Sequence, residues 1–512
     1  MRNKDRAVRV IAQCWNFIGD AVHKKAFGPM RRGRSICIFV PAASSPNKPQ
    51  KAFFGIDFFE VSTSDFKKVQ CMFHIIYFRF NIMRTLFVIA ALLCAAAMAE
   101  KWAMVMGTAD GWSNYSITSD PCRAYDLLAA SGIAPEHIIF MSYTSNYESK
   151  SNPFPGKIFT DPSDGEGKDY APGCRSHIDY TAESIDKEVV KAIFLGDKAT
   201  VTELTGIENP KVFETTEEDT IFIYFIDHGN EGLVCIGNSY MRETEFIDTF
   251  KKMYEKKMYK EFVFYMEACH SGSMFRKIDE NWNIYALTSS DPYHNAWMSN
   301  CPPDDVINGK ELDTCLAGLY DNAWMDIVEQ SQGGNVTLAE IFKHVDSVVK
   351  AEGSDQAVSQ YGPVEKFSQY PINRFIGDKP IPKAKFSVSK SGKVVRYQDV
   401  PRHVATWKAI RADKAHLEAS LEDLKKIVVE EAMNEVKLMR LARAVSGDDV
   451  KAEMLRTSVS NGYSEECAQE IAINLMEKCG FTMPFSESAL NTIHNICSKN
   501  VNYNIDYSDV CF

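Results

Sequence analysis

Two apolar runs in this 512-residue chain end in side chains able to do covalent chemistry. "IFIYFIDHG" closes on Asp227, His228 and Gly229, and "FVFYMEACHSGS" delivers Glu267, Cys269 and His270. A thiol becomes a nucleophile by losing its proton, which takes a base or a positive environment. His228 can be that base and can later protonate a leaving amine. The N–H groups of Gly229 and Cys269 would together hold a developing oxyanion. His270, although next to the cysteine in sequence, is the poorer partner, because consecutive side chains leave a strand end in different directions. Taken singly each piece has a plainer reading: a buried inert cysteine, a polar turn, a glutamate paired at the rim. The combination at two matched strand ends points to acyl transfer.

These groups need a rigid frame. "WAMVMG" (102–107), "HIIFMSY" (137–143), "TIFIYFIDHG" (220–229) and "EFVFYMEAC" (261–269) are continuously apolar, as strands buried on both faces are. Between the first two lies a helix pattern with Asp120 as cap, Pro121 in the first turn, "CRAYDLLAAS" as body and Gly132 after it. "ESIDKEVVKAIF" (183–194) reads as a second helix. Alternating strand and helix predict an α/β fold with a mostly parallel sheet and helices on both sides. In such sheets reactive groups collect at the carboxyl ends of the strands.

The length allows about two to four domains. A net charge of -11 argues against a nucleic-acid partner, which needs a concentrated basic face. "MRTLFVIAALLCAAAMAE" (83–100) has the form of a secretory leader cut after Ala99, with residues 1–82 an upstream extension and synthesis starting at Met83. After that cut, ten of the 14 cysteines remain, and most should pair in an oxidising compartment. No cysteine and histidine set has metal-ligand spacing, so no metal or other cofactor is expected. The pattern stops near "GDKPIPKAKFSVSKSGK" (377–393), a linker or exposed protease-sensitive loop. From Trp407 to about Ser446 apolar residues recur at helical spacing, and Leu417, Leu421, Leu424 and Val428 read as a packing face. A second, helical domain follows from that pattern. The expected domains are a catalytic one over 100–378, a linker over 379–405 and the helical one over 406–512.

"IYFIDHG" together with "FVFYMEACHSGSMF" resembles the legumains, asparaginyl endopeptidases of the caspase-like cysteine peptidase clan. "GWSNY" (111–115), "NPFPG" (152–156), "DYT" (179–181), "CLAGLYDNAWM" (315–325) and "SQYG" (359–362) extend the likeness over most of 101–512. The resemblance implies a caspase-like α/β fold followed by an all-α prodomain, and a dyad of Cys269 and His228 with Asn114 orienting the imidazole. It implies Gly229 and Cys269 as the oxyanion hole, and Glu267 in the primary pocket with Asn295 also among the substrate-binding residues. It marks Asp227 as a position able to close to a succinimide, a change linked to peptide ligation. It pairs Cys467 with Cys497 and Cys479 with Cys511, where spacing alone leaves three connectivities. Cys301 with Cys315 would close a loop beside the pocket.

Two positions depart from the legumain pattern. Its asparagine-reading arginine and aspartate are replaced by Ser116 and Gly318, which removes the paired donor and acceptor for a carboxamide. Asp321, three residues on, would compensate if it faced the pocket; its commoner reading is a solvated loop carboxylate. By resemblance the helical domain caps the site as an autoinhibitor released at acid pH, in a lysosome-like or vacuolar compartment or after secretion. Peptide substrates, the chain's own prodomain and cystatin-type inhibitors are the expected partners. The rival readings are a transpeptidase on the same dyad, an enzyme akin to the glycolipid-anchor transamidase, and a non-catalytic binding protein.

Overall fold

The computed structural model describes residues 99–162, 165–381, 392–458, 460, 462–498 and 505–511, all within one compact unit, Phe87–Phe512. Residues 1–98, with nearly all of the expected leader, and linker residues 382–391 lie outside the described set.

Besides short hairpin strands over Gly229–Asn230, Leu233–Ile236 and Ser239–Arg242 and over Val306–Ile307 and Lys310–Glu311, the strands are β1 (Lys101–Gly107), β2 (Ile138–Ser142), β3 (Thr220–Ile226), β4 (Glu261–Glu267) and β5 (Ile284–Thr288). They are followed by β6 (Trp297–Cys301), β7 (Ala317–Gly318), β8 (Ser359–Tyr361) and β9 (Lys393–Arg396). The main sheet has the order β8-β5-β4-β3-β1-β2, and every pairing is parallel except β8 against β5. The four apolar runs of the sequence are four of its strands. "IYALT" and the antiparallel edge "SQY" complete it.

Helices α1 (Ser116–Ser131), α2 (Lys187–Phe194), α3 (Lys198–Thr205), α4 (Glu243–Glu255), α5 (Leu319–Gln330) and α6 (Leu338–Ala351) flank the sheet. Ala103, Val105, Tyr224 and Tyr265 pack on one face with Leu128, Trp324 and Ile341. On the other face Met104, Ile223 and Phe264 meet Val190, Val201 and Phe250. Alternate residues of each strand therefore feed two separate cores, which explains the continuous apolar runs.

The first helix starts earlier than its sequence signals predict. Asp120 is not a cap but sits inside α1, fully buried, and Pro121 is interior as well. Proline has no N–H for the carbonyl of Ile117. That carbonyl lies against the end of β1, where a Cβ on Gly107 would come within 2.0 Å of it, so only glycine fits there. The second predicted helix is also shorter: Asp186 accepts from the Glu188 N–H and starts α2 at Lys187, after a separate short turn over Ala182–Ser184.

The C-terminal region is helical: α7 (Val400–Arg411), α8 (Leu417–Ser446), α9 (Asp449–Thr457), α10 (Glu465–Cys479) and α11 (Glu487–Cys497). Here the predicted packing face of α8 is overturned. Leu417, Leu421 and Val428 are exposed, and the buried residues are Leu438, Leu441 and Ala442 in its last turns. Its last turns pack in the small bundle of α9, α10 and α11, while its earlier part meets α7, as in the Arg402–Glu431 ion pair, and leaves this stripe in solvent.

Disulfides join Cys467 to Cys497, Cys479 to Cys511 and Cys301 to Cys315. A fourth, which the sequence reading does not single out, ties Cys122 of α1 to Cys174. Among the described residues Cys235 and Cys269 are free.

Candidate active site

The register of the sheet fixes the site. β3 and β4 are adjacent and parallel with Ile226 opposite Glu267, so His228 and Cys269 each lie two residues past the same level of the sheet. The Asp227 N–H donates to the Glu267 carbonyl at 3.2 Å and carries the pairing into the overhang. A Cβ on Gly229 would lie 2.4 Å from the carbonyl oxygen of Cys269 and 3.2 Å from the Ala268 side chain. The strand after His228 thus presses directly on the backbone of the cysteine, an approach that requires glycine.

Asn114 completes the arrangement. Its Nδ2 donates to the Asp110 carbonyl at 2.8 Å, which turns its Oδ1 toward Nε2 of His228 at 3.0 Å. An amide oxygen only accepts, so Nε2 carries the proton and Nδ1 is left with its lone pair. Nδ1 is buried and has no hydrogen-bond partner. Burial lowers the His228 pKa to about 4 and raises that of Cys269 above the usual thiol range. The covered site therefore holds a neutral imidazole and a neutral thiol.

Asp227 is buried, accepts from Thr108 Oγ1 at 2.5 Å and from the His228 N–H at 2.6 Å, and is raised by burial to about 7. His270 turns away from the cysteine: its backbone is left-handed and its Nδ1 bonds the Pro292 carbonyl at 2.9 Å. Serines that the sequence reading passes over hold the nucleophile loop. Ser290 Oγ donates to the Ala268 carbonyl at 2.9 Å, and the Gly272 N–H donates to the Ser290 carbonyl at 2.9 Å.

The residues expected to line the pocket are held as follows. Ser116 begins α1, buried, with its Oγ 3.3 Å from Met298 Sδ. Gly318 pairs with Met298 across β7 and β6, and its N–H donates to Asp120 Oδ2 at 2.7 Å. Asn295 Nδ2 donates to Gln398 Oε1 at 3.0 Å. The solvated reading of Asp321 is overturned. It lies in the first turn of α5 at 0% exposure, with an oxygen 2.1 Å from where a Cβ on Gly318 would stand. Its carboxyl fills the space that a side chain at 318 would need.

Glu267, Asp321 and Asp120 form a buried acidic group. Burial raises all three, most strongly Glu267 and Asp120, with the charge of Asp321 adding to each; Asp321 itself reaches about 7. Tyr224, Asp120 and Trp324 stand close enough to Asp321 to temper that rise, yet neither of its oxygens has a partner with hydrogen-bond geometry. Both oxygens of Glu267 are unpartnered too. Three close buried carboxyls cannot all ionise, so they hold protons at acid pH. Among the described residues no His, Cys, Asp or Glu group could hold a metal ion.

A segment from the expected linker covers the pair. β9 adds to β6 antiparallel, with Val395 opposite Met298 and Arg396 opposite Trp297, and the Tyr397 N–H donates to the Ala296 carbonyl at 2.9 Å. The Tyr397 ring meets the His228 ring at 4.9 Å, edge to face. The helical region also touches the loop that follows Gly229. Phe485 N–H donates to Asn230 Oδ1 at 2.9 Å, Glu465 pairs with Lys277 at 2.6 Å and Arg276 at 3.0 Å, and His494 lies 3.4 Å from Glu231.

Cys269 and His228 thus stand at matched ends of parallel strands, and comparison with known proteins identifies a cysteine-type endopeptidase family. The model of the Peptidase C13 family matches residues 101–378. The vacuolar-processing enzyme of Phaseolus vulgaris is 35% identical over 52% of this chain and 53% of its own. The hemoglobinase of Schistosoma japonicum is 32% identical over 59% of this chain and 67% of its own, and human legumain 27% identical over 78% and 89%. The alignments span about half the length of the first plant relatives. A caspase-1 structure from Spodoptera frugiperda aligns at 8% identity with a TM-score of 0.30, too slight a likeness to argue from. The chain belongs to the Peptidase C13 family.

Proposed function

We propose that the chain is the zymogen of a legumain-like cysteine endopeptidase acting through Cys269 and His228. One observation carries this reading: the equal overhang of the two residues beyond β3 and β4, with Asn114 fixing the imidazole tautomer. Nδ1 of His228 takes the Cys269 proton, and the thiolate attacks the scissile carbonyl carbon. The N–H groups of Gly229 and Cys269 donate to the oxyanion that forms. Its collapse breaks the C–N bond as the imidazolium protonates the amine, leaving a thioester. Water, deprotonated by His228, then hydrolyses the thioester and frees the thiol.

Residues 100–378 are the catalytic domain, 379–405 the activation segment and 406–512 the prodomain. The prodomain and β9 act as an autoinhibitor in an acidic vacuolar or lysosome-like compartment, reached by way of the secretory pathway. Its substrates are peptides and proteins, and cystatin-type inhibitors are candidate partners. The enzyme cuts after asparagine or another residue, because with Ser116 and Gly318 in place the pocket lacks the paired arginine and aspartate that read a carboxamide. A ligase reading has one observation in its favour: the His228 backbone nitrogen lies 2.6 Å from Asp227 Oδ1, near the carboxyl carbon that it would attack, with loss of the carboxyl OH as water, to close a succinimide.

To test this, the full chain is activated at acid pH and treated with a thiol-reactive peptide probe. Labelling faster than that of free cysteine, abolished in Cys269→Ala, is expected. Labelling no faster than free cysteine would leave only a binding protein. Adding an amine nucleophile separates the two enzymes, because ligated product outpacing hydrolysis would favour the transpeptidase.

A further inference from the structure

We propose that the primary pocket is built for tyrosine, and that Tyr397 of the chain itself is its resident occupant. The inference rests on the Cys269–His228 reading and names the substrate class of that site.

The backbone places residue 397 beside the nucleophile. After a register shift between Lys393 and Val395, β9 pairs with β6 through Val395 opposite Met298 and Arg396 opposite Trp297, and the next bond runs from the Tyr397 N–H to the Ala296 carbonyl. The N–H of the same Ala296 donates to Cys269 Sγ at 3.4 Å. One residue thus bridges the sulfur and the amide of Tyr397. A peptide extended along β6 would put its own side chain where Tyr397 puts its phenol.

The side chain is held as an occupant. Tyr397 is 6% exposed, and its ring packs edge to face on the catalytic imidazole. Asp227, Cys269, Glu267 and Asp321 are the charged or ionisable groups acting on its phenol. Its hydroxyl has no partner, nor do the oxygens of Glu267 and Asp321, all of them buried. Unpartnered polar atoms at such depth are rare, and a phenol hydroxyl can both donate to and accept from a protonated carboxyl.

Shape and chemistry agree. Ser116 is small and Gly318 has no side chain, so neither supplies an ion or an amide to read a carboxamide. A phenol fills the space with apolar ring and brings a hydroxyl that both donates and accepts. Asparagine would leave a ring-sized void. A lysine would need ionised carboxylates, whereas buried carboxyls crowded together hold their protons. Tyr397 can sit there without being presented as a substrate, because the chain turns at once into a tight helical turn over Tyr397–Asp399 and then α7.

The test uses acid-activated full chain and four fluorogenic peptides, Val-Val-Arg-X, with X tyrosine, phenylalanine, asparagine or lysine. The proposal expects the tyrosine peptide to exceed the asparagine and lysine peptides about tenfold or more in kcat/KM, and to exceed phenylalanine. The tyrosine-to-phenylalanine ratio should shrink in Asp321→Asn. Before activation, Tyr397→Ala should label faster at Cys269 than the unaltered chain, and Tyr397→Phe should stay protected. Preference for asparagine or lysine, or equal turnover of tyrosine and phenylalanine, overturns the proposal. If some peptide is cut and Cys269 labels fast, such a result sinks the pocket reading alone. If no peptide is cut and Cys269 labels no faster than free cysteine, the peptidase reading falls with it.

Discussion

At the scale of single residues the site is an exercise in removing freedom. Asn114 has one amide to offer, and by giving its N–H to Asp110 it must show oxygen to His228. Asn114→Ala should therefore lower kcat by about tenfold, the rate equivalent of one lost hydrogen bond, with KM nearly unchanged. Steady-state kinetics on activated enzyme check this, and an unchanged kcat contradicts the tautomer argument. Gly229 carries a stricter constraint, since a methyl there would strike the Cys269 carbonyl. Gly229→Ala should fold, judged by far-UV circular dichroism, yet lose most activity; full activity would show that the two backbones need not touch. The buried acids explain why Asp321 escaped the sequence reading. Nothing in "CLAGLYDNAW" says that the aspartate faces inward, because its depth is set by a glycine three residues earlier that leaves room for its carboxyl.

The strands were legible, since four uninterrupted apolar runs permit little else; that β3 and β4 are neighbours, the condition for their reactive ends to converge, is visible only in the sheet. Helix starts were less so. Asp120 and Pro121 carry strong initiation signals, but tertiary packing extended α1 past them, at the cost of one lost bond to the Ile117 carbonyl. β9 was missed because a cationic, serine-rich linker conceals "KVVRYQ", a short apolar run that only gains meaning once β6 offers an edge. The stripe on α8 misled in the opposite sense: periodicity reports an apolar face, not what covers it. Leu421→Ala should accordingly shift stability by no more than about 0.5 kcal/mol, and Leu441→Ala should cost about 2–5 kcal/mol, as denaturant melts would read. Equal effects would mean that the face is covered. Where α11 meets the catalytic domain, burial holds His494 below the usual histidine range; Glu231 works against this, while His270 and Arg276 add to it. A histidine kept neutral when docked stabilises docking above its free pKa of about 6.5, and that contribution is lost as pH falls below it. Glu465 would be raised by burial, but Lys277 and Arg276 outweigh this and lower it, so its contribution fails only at still lower pH. His494→Gln should move the midpoint of acid release downward, followed by protease accessibility of the helical region. An unmoved midpoint would contradict a role for His494.

The whole molecule joins a reactive pair to the means of covering it. β9 extends the wall beside the pocket, Tyr397 lies on the imidazole, and the helical region touches the loop that leaves Gly229. Covered, the thiol is raised and the imidazole lowered by the same burial, so neither bears the charge that reaction needs. Uncovering readmits water and relieves both shifts. On the proposed function, the contacts that hold the helical region in place would also gate reactivity. The most direct measurement is the site and rate of labelling by a small thiol-reactive probe, mapped by peptide mass before and after acid activation in the unaltered chain and in His228→Ala. The account predicts slow labelling before activation, fast labelling at Cys269 afterwards, and loss of the fast phase in His228→Ala. Fast labelling at Cys235 instead, or at Cys269 with His228 removed, would contradict it.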